Sequence, residues 1–280
     1  MILKHIANEK EKEAIREKMG INKIPSEASL FFLGLDYFNC FRNKPFEKKE
    51  NYLLMMKDPK SFGLNWLAFY DDSFKYGMGG LGKNNKSINV SFADAGSEAF
   101  LYQFVPWVGY SNTKFSIGIG TCGGIKKGLK VGDIIICTHS LGEWEGAKHR
   151  LGRKRELKTN KKIIRALEDS CKKLKVKYTK GKIFSVSDVF LEDEIIHELK
   201  IKQKGFIGVE HENYTANVIS ENYNKPFCSI MLISDLPING ENYYLSQRSS
   251  SGKDKLSENL SLIFKIAALA TASLLDDNQD

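Results

Sequence analysis

Apolar runs and amphipathic stretches alternate along the chain from about Ser87 onwards. The runs are continuous rather than alternating with polar residues, which is typical of strands buried on both faces of a sheet. They predict strands at SINVSFA, KFSIGIG, DIIICT, KIFSVS, GFIGVE and FCSIMLIS. Helices are predicted between them, from about Ser97 and over 161–174, 192–200 and 212–222.

The last predicted helix has the clearest periodicity. Its apolar residues step by three and four positions along one face, at Leu256, Leu260, Ile263, Ala267, Ala270 and Leu274. The first 86 residues are less regular. They predict a charged helix over 5–19, a buried strand over 28–35, an apolar run WLAFY at 66–70 and a glycine-rich turn at YGMGGLG.

Alternating strands and helices predict an α/β fold. We expect a single domain with a mostly parallel, twisted central sheet flanked by helices, in which 1–86 form a divergent N-terminal part and 87–280 form the core. In such sheets ligands bind beyond the carboxyl ends of the strands. Polar residues at those ends are therefore the candidates for function.

One glycine motif has the spacing of a dinucleotide site. Gly118, Gly120 and Gly123 in SIGIGTCGGI match G-x-G-x-x-G, which must join a strand to a helix whose N-terminus faces a pyrophosphate. The following residues instead contain two more glycines and the apolar run VGDIII, which predicts another strand. The context therefore favours a tight turn between two strands, and no nucleotide cofactor is expected.

Composition narrows the partners that the chain can bind. Of 280 residues, 42% are apolar and 27% charged, an ordinary globular composition, and the net charge is +8. The lysines lie in short surface runs without interleaved aromatics, so we expect a solvated basic face or a phosphate-bearing ligand rather than nucleic acid. The longest apolar region is interrupted by Lys265, and the N-terminus lacks a signal-peptide core, so we expect a cytoplasmic protein without a membrane partner.

The five cysteines include no C-x-x-C pair and no histidine at metal-ligand spacing. Neither a disulfide framework nor a metal site follows from them.

Acidic residues stand at the ends of three predicted strands, in SVSDVF, GVEHEN and LISDLP. With GTCGGI and VGDIII before them, the order of these motifs resembles the nucleoside phosphorylase and nucleosidase superfamily, over about Ser87 to Leu275. The stretch KPFCSIMLISDLPINGE is also similar to the catalytic part of AMP nucleosidases. The resemblance implies cleavage of the N-glycosidic bond of a nucleoside or nucleotide, without a cofactor, by a homo-oligomer.

The resemblance also implies roles for individual residues. Asp235 would be the general acid that protonates the departing purine, and Glu212 would hold the ribose hydroxyls. Glu210 and His211 would line the sugar pocket, although the family usually has methionine at the position of His211. Substrate binding would also involve Phe190, by stacking on the base, and the glycine-rich turn residues Thr121, Cys122 and Gly123.

Each of these residues also has a purely structural interpretation. A strand-end acid such as Glu212 or Asp235 can cap the next helix, and Phe190 or His211 can belong to the core.

The expected nucleophile is water. Relatives that use phosphate commonly place an arginine where this chain has Gly118 and another in the first strand loop, where Arg42 lies too far along. Asp36, in that loop, is the candidate catalytic base. A 5′-phosphate would meet Arg248, Lys253 or Lys255.

Two alternatives stay open at the level of sequence. One is a phosphorylase whose phosphate site is built from Ser97, Thr121 and backbone amides. The other is a nucleoside-binding module without turnover, which the histidine at 211 and the divergent N-terminal part allow.

Overall fold

The computed structural model describes residues 8–18, 27–33, 65–70, 78–83, 86–92, 104–153, 155–187, 196–197, 205–239 and 250–276. The strands are β1 Ala28–Leu33, β2 Asn65–Tyr70, β3 Met78–Lys83, β4 Lys86–Phe92, β5 Phe115–Gly124, β6 Ile134–Gly142, β7 Leu157–Lys158, β8 Thr179–Ser185, β9 Phe206–Glu210 and β10 Phe227–Asp235. The helices are α1 Glu9–Lys18, α2 Gly146–Leu151, α3 Lys161–Lys173, α4 Asn213–Asn222 and α5 Ser250–Asp276. A short helical segment spans 104–109, and a 3₁₀ turn spans Pro237–Asn239.

All the described strands belong to one mixed sheet that closes on itself at one end. Along the sheet the order is β2-β3-β4-β1-β5-β9-β8-β6-β10, β7 pairs with β6, and β10 pairs again with β5. Strands β5, β9, β8, β6 and β10 therefore form a closed ring, and β1 to β4 extend from it as an open sheet. The ring closes through two antiparallel pairings, β10 with β6 and β9 with β5.

Strand β5 changes partners along one of its edges. Residues 115–120 pair with parallel β1, whose last residue Leu33 lies opposite Gly120. Gly123 and Gly124 pair instead with antiparallel β9, through Val209 and Gly208. The carboxyl ends of β1 and β9 thus approach each other from opposite directions along β5, with Thr121 between them. This is the kind of strand divergence at which α/β sheets bind ligands.

The sheet is buried on both faces. On β10, Ile230 and Leu232 belong to the core cluster beneath α3 and α5, whereas Met231 and Ile233 belong to the cluster beneath α4 and the segment 104–109. Successive side chains of a strand point to opposite faces, so a continuous apolar run fills both layers. In the second layer Phe31 packs edge-on against Phe104, with ring centroids 4.7 Å apart.

The glycines of the G-x-G spacing lie inside β5 rather than in a loop. A Cβ at Gly118 would lie 2.9 Å from Leu33 Cδ1, and one at Gly120 would lie 2.7 Å from Met231 Sδ. These two glycines share a face because they are two residues apart in a strand. They leave room for large side chains from β1 and β10, and no helix follows them. The predicted tight turn between two strands was wrong at this motif, because Gly118, Gly120 and Gly123 all lie within β5.

The predicted α/β domain with a central sheet flanked by helices is confirmed. The predicted strands of the core and the helices over 161–174 and 212–222 all lie within a few residues of the observed elements. The predicted helix over 192–200 lies largely outside the described residues, and the boundary between 1–86 and 87–280 stays a prediction.

The predicted turn at YGMGGLG was wrong. Residues Met78–Lys83 form β3, which pairs on both edges, with β2 and with β4. Glycine disfavours an isolated strand, but two hydrogen-bonded neighbours supply a stabilisation that local propensity does not represent.

Within the described residues, the stretch Asn259–Asp276 of α5 has the length and hydropathy of a helix that could cross a membrane. More than half of it is buried within the protein, and its residues Leu260, Ile263, Ala267 and Ala270 belong to the core beneath the sheet. The apolar periodicity of this helix therefore reflects packing against β5 and β10.

Gly142→Ala should destabilise the fold by about 1–3 kcal/mol, because the added methyl group would overpack this position. A Cβ there would lie 2.8 Å from the carbonyl oxygen of Ser185 and 2.8 Å from Tyr214 Cδ1. Chemical denaturation measures the change. Lys127→Ala, at an exposed position after β5, is the control for a substitution outside the core. Equal losses in the two variants would contradict the packing argument.

Candidate active site

Three of the predicted segments meet at one rim of the ring. On one edge of β5, Asp235 of β10 lies opposite Gly123, and on the other edge Val209 of β9 lies opposite the same residue. Neighbouring strands are about 4.8 Å apart, so the backbones of Asp235 and Val209 are about 10 Å apart across β5. Glu210, His211 and Glu212 follow Val209 directly, and the next α-helix, α4, starts at Asn213.

Asp235 ends β10 at an irregularity in its pairing. The register with β5 shifts between Ile233 and Asp235, so that Asp235 faces Gly123. The side chain is buried, and Ser234 Oγ donates to its Oδ1 over 2.6 Å. This bond restricts rotation of the carboxyl group. The position suits a group that must present one oxygen in a fixed direction, such as a general acid.

Glu210 is buried and holds the N-terminus of α4. Its Oε2 accepts hydrogen bonds from the backbone N–H groups of Glu212 and Asn213, each over 2.7 Å. Its Oε1 accepts from the Ser185 hydroxyl, which in turn accepts from the backbone N–H of Tyr214 over 2.8 Å. Sequence reasoning assigned Glu210 to the sugar pocket. The structure instead directs both of its carboxylate oxygens to protein donors, Oε2 to the start of α4 and Oε1 to Ser185.

Burial raises the pKa of Glu210 from its ordinary 4.5 to about 7. The hydrogen bonds from Ser185 and the backbone of Asn213, Glu212 and His211 act in the opposite direction, because they favour the charged form. The effect of burial on the pKa is therefore larger than the opposite effect of the surrounding hydrogen-bond donors.

Glu212 occupies the N-cap position of α4 but its side chain makes no capping hydrogen bond. It is buried, and the adjacent Glu210 performs the capping role in its place. The structural interpretation of Glu212 as a helix cap is therefore wrong. Its ribose-binding role stays a prediction.

His211 is half-buried, and its Nδ1 lies 3.2 Å from the carbonyl oxygen of Val186. A carbonyl only accepts hydrogen bonds, so Nδ1 carries the proton in this arrangement. In the neutral ring Nε2 is then an acceptor. This residue contributes a polar atom where the resemblance implies a methionine.

Residues 121–123 of β5 do not all face the same way. The Cys122 side chain is buried in the core layer beneath α4, and its Sγ approaches Gly208. A side-chain role for Cys122 in substrate binding is therefore corrected, because alternation along the strand directs it into the core. Thr121 is partly exposed, and Gly123 is covered by Pro237, whose Cγ would lie 2.7 Å from an added Cβ.

Three predicted site residues, Asp36, Phe190 and Arg248, lie outside the described residues, as do the alternatives Ser97 and Arg42. Lys253 and Lys255 belong to α5. Asp36 follows the end of β1 by three residues, and Phe190 follows Ser187 by three. Their assignment stays a prediction.

Sequence reasoning missed two polar residues at this rim, Ser185 and Glu143. The Glu143 carboxylate accepts from both the backbone N–H and the hydroxyl of Ser187, each over 3.0 Å, and so joins the ends of β6 and β8. Glu143 directly follows the end of β6, so it is a strand-end acid of the kind considered in the sequence. It was missed because β6 was predicted to end at 138 and runs to Gly142.

Among the described residues there is no group of three or more histidine, cysteine or acidic side chains that could hold a metal ion. The buried acids at this part of the rim include Glu212 and Asp235. In this pair one acid can deliver a proton and the other can oppose a developing positive charge.

A family model described as "Phosphorylase superfamily" matches residues 117–266. The chain is 24% identical over 141 residues to a DeoD-type purine nucleoside phosphorylase of Bacillus subtilis. The aligned region covers 50% of this chain and 60% of that protein. The chain is 26% identical over 158 residues to a 5′-methylthioadenosine/S-adenosylhomocysteine nucleosidase of Buchnera aphidicola, over 54% of this chain and 67% of that one.

A solved structure shares the fold over most of the chain. The 5′-methylthioadenosine/S-adenosylhomocysteine nucleosidase of Campylobacter jejuni aligns with a TM-score of 0.64 at 11% identity. The alignment covers 89% of this chain and 99% of that one. The matched sequence relatives, by contrast, are spanned over only about 60 to 67% of their length.

Glu210→Gln should become more stable relative to the wild type as the pH rises from 5 to 8. The folded-state pKa of about 7 lies above the ordinary 4.5, so the folded protein binds the proton more tightly and this group's contribution to stability is lost as pH rises through 7. Glutamine does not ionise, so the variant does not lose stability at this position as the pH rises. The measurement is the difference in Tm between variant and wild type at each pH.

Glu17→Gln, on the exposed side of α1, is the matched control for removal of one carboxylate. A Tm difference for Glu210→Gln that stays flat, or shrinks as the pH rises, would show that burial does not raise the pKa of this group.

Proposed function

The chain belongs to the phosphorylase superfamily, and on that premise we propose that it hydrolyses the N-glycosidic bond of a purine nucleoside or 5′-nucleotide. The observation that carries the proposal is that Asp235 and Val209 lie beside opposite edges of β5, and that Glu212 follows Val209 by three residues. Two acids on opposite sides of a sugar–base unit are what this bond cleavage requires.

In the proposed reaction the bond between C1′ of the sugar and the base nitrogen breaks, and its electron pair leaves with the base. Asp235 gives its proton to the base, which would otherwise depart as a poor leaving group. The hydrogen bond from Ser234 holds the carboxyl group in the orientation for that transfer. The products are the free base and, once water has added, a free reducing sugar.

Positive charge develops on the sugar ring as the bond breaks. The Glu212 carboxylate would accept hydrogen bonds from ribose hydroxyls and stabilise this charge by a fixed negative charge in a buried place. Water then forms a bond to C1′ and loses a proton, for which we propose Asp36 as the base. Thr121, between the ends of β1 and β9, would line the cleft beneath the sugar.

The proposal of water rather than phosphate is supported by the surroundings of Gly118. This position lies within β5, and a Cβ there would meet Leu33, Phe227 and Ser229 within 3.2 Å. An arginine at 118 would need those side chains to move, so the phosphate-binding fork that the resemblance implies in phosphorylases is not available at this position.

For the other end of the substrate we propose Phe190 as the residue that stacks on the base, and Arg248, Lys253 or Lys255 as partners of a 5′-phosphate. The names of the sequence relatives include a nucleosidase of 5′-methylthioadenosine, so thioether and phosphate groups at the 5′ position are the two classes to compare.

The protein should release free purine and reducing sugar in phosphate-free buffer. The measurement is base and reducing-sugar release from adenosine, 5′-methylthioadenosine and AMP, with and without phosphate. The double variant Glu212→Gln/Asp235→Asn is the control for contaminating activity. Turnover only with phosphate, giving ribose 1-phosphate, would establish the phosphorylase alternative. Thermal stabilisation by a nucleoside without any base release would indicate a binding module.

Asp235→Asn should abolish hydrolysis of purine substrates and spare substrates whose base leaves without protonation. Asparagine keeps the shape but transfers no proton, so the loss should be on the order of 10²- to 10⁴-fold for a purine nucleoside and small for a nitrophenyl riboside. Rates on the two substrates are compared, with thermal unfolding of the same variant.

Glu212→Gln is the variant to compare with Asp235→Asn. It removes the negative charge beside the sugar and leaves the proton donor to the base unchanged. Its loss, on the order of 10²- to 10³-fold, should be equal for both substrates. If Asp235→Asn also slows both substrates equally and lowers the Tm, Asp235 has only a structural role at the end of β10.

A further inference from the structure

The N-terminus of α4 is held by a unit formed from β8 and β9 rather than by its own N-cap residue. Glu210 accepts from the N–H groups of Glu212 and Asn213, and Ser185 accepts from the N–H of Tyr214. The Ser185 hydroxyl donates to Glu210, so the two side chains form one connected acceptor surface. Three consecutive N–H groups are thereby satisfied by residues outside the helix.

This arrangement differs from the usual one. The first N–H groups of a helix lack partners within it, and the N-cap side chain normally supplies one. Here the N-cap residue is Glu212, whose side chain makes no such bond, and the role is taken by the acid two residues earlier. Glu210 therefore caps α4 in place of Glu212 and at the same time fixes the backbone of Glu212.

We infer that Glu210 and Ser185 are positioning residues, which fix the backbone of Glu212 and so aim its carboxylate at the sugar. The inference rests on the proposed function for the role of Glu212. It reverses the role that the sequence indicated for Glu210, because both oxygens of that carboxylate face protein donors rather than a sugar.

A second set of contacts holds the residue on the other side of Glu212. The Asn213 side chain donates to Cys137 Sγ of β6 over 3.3 Å and accepts from the Ser229 hydroxyl of β10 over 2.7 Å. All of these groups are buried. The peptide that carries Glu212 is thus tied to β9 on one side and to β6 and β10 on the other, which restricts its movement relative to Asp235.

The amide of glutamine can keep the two bonds to the helix, while its bond with Ser185 would run in the opposite direction. Its carbonyl oxygen can accept from the N–H groups of Glu212 and Asn213, and its NH₂ can donate to the Ser185 oxygen. Alanine can do neither. A residue that acts through geometry should therefore be rescued by glutamine, whereas a residue that acts by its charge on the substrate should not.

The kinetic test is a double-mutant cycle on hydrolysis of the best purine substrate. Glu210→Ala should lower kcat on the order of 10²-fold, as a misplaced group does, and Glu210→Gln should recover most of that loss. In the Glu212→Gln background Glu210→Ala should cost less than about threefold more, because the two residues act as one unit. Equal losses for alanine and glutamine, or an undiminished loss in that background, would overturn the inference.

A second measurement needs no substrate. Hydrogen exchange of the amides of Glu212, Asn213 and Tyr214 should accelerate in Glu210→Ala and stay near the wild-type rate in Glu210→Gln. Unchanged exchange in Glu210→Ala would overturn the positioning role. If the wild type hydrolyses no nucleoside, the proposed function fails, while the exchange result still decides whether Glu210 and Ser185 fix this segment.

Ser185→Ala provides the same tests should Glu210→Ala not fold. It leaves the two bonds that the helix N–H groups donate to Glu210, and it removes the two bonds of the Ser185 hydroxyl, to the Tyr214 N–H and to Glu210. We expect a smaller loss of kcat, on the order of tenfold or less, which should also disappear in the Glu212→Gln background. A loss that persists there would overturn the role of Ser185.

Discussion

The whole arrangement depends on how β5 divides its hydrogen bonds. One edge of this strand pairs with β10 along nearly its full length, and the other edge pairs first with β1 and then with β9. Four of its ten residues are glycine, and an added Cβ at each of them would come within 3.4 Å of side chains from β1, β9, β10 or the turn after β10. The change of partner opens the sheet at Thr121 and brings the candidate acids to one place.

The sequence indicated the elements of the core because their signals are local. Continuous apolar runs, the Asn160 cap that accepts from Lys162 and Ile163, and the helical periodicity of Ile263 and Ala267 can each be read within a dozen residues. The same local reading located Asp235 and Glu212, because both follow directly from the end of a run. Which strands pair with each other depends on residues far apart in sequence, so closure of the ring could not be predicted.

Other differences have the same physical origin. The glycine-rich β3 is a strand because of its two neighbours, and Glu143 became visible as a strand-end acid only when pairing extended β6 to Gly142. That Glu210 rather than Glu212 caps α4 depends on where two side chains point at a bend. Their types and spacing in sequence are compatible with either assignment.

Closure of the ring has a consequence for how the chain is made. Strand β10 pairs with both β5 and β6, yet it follows them in sequence by roughly a hundred residues. Until β10 is synthesised, one edge of each of these strands has backbone N–H and C=O groups without their final hydrogen-bond partners. During synthesis those edges and their apolar faces leave the ribosome long before their common partner. A nascent chain paused before residue 227 would therefore be prone to wrong strand pairing, and would be a natural client for chaperones that cover exposed strands.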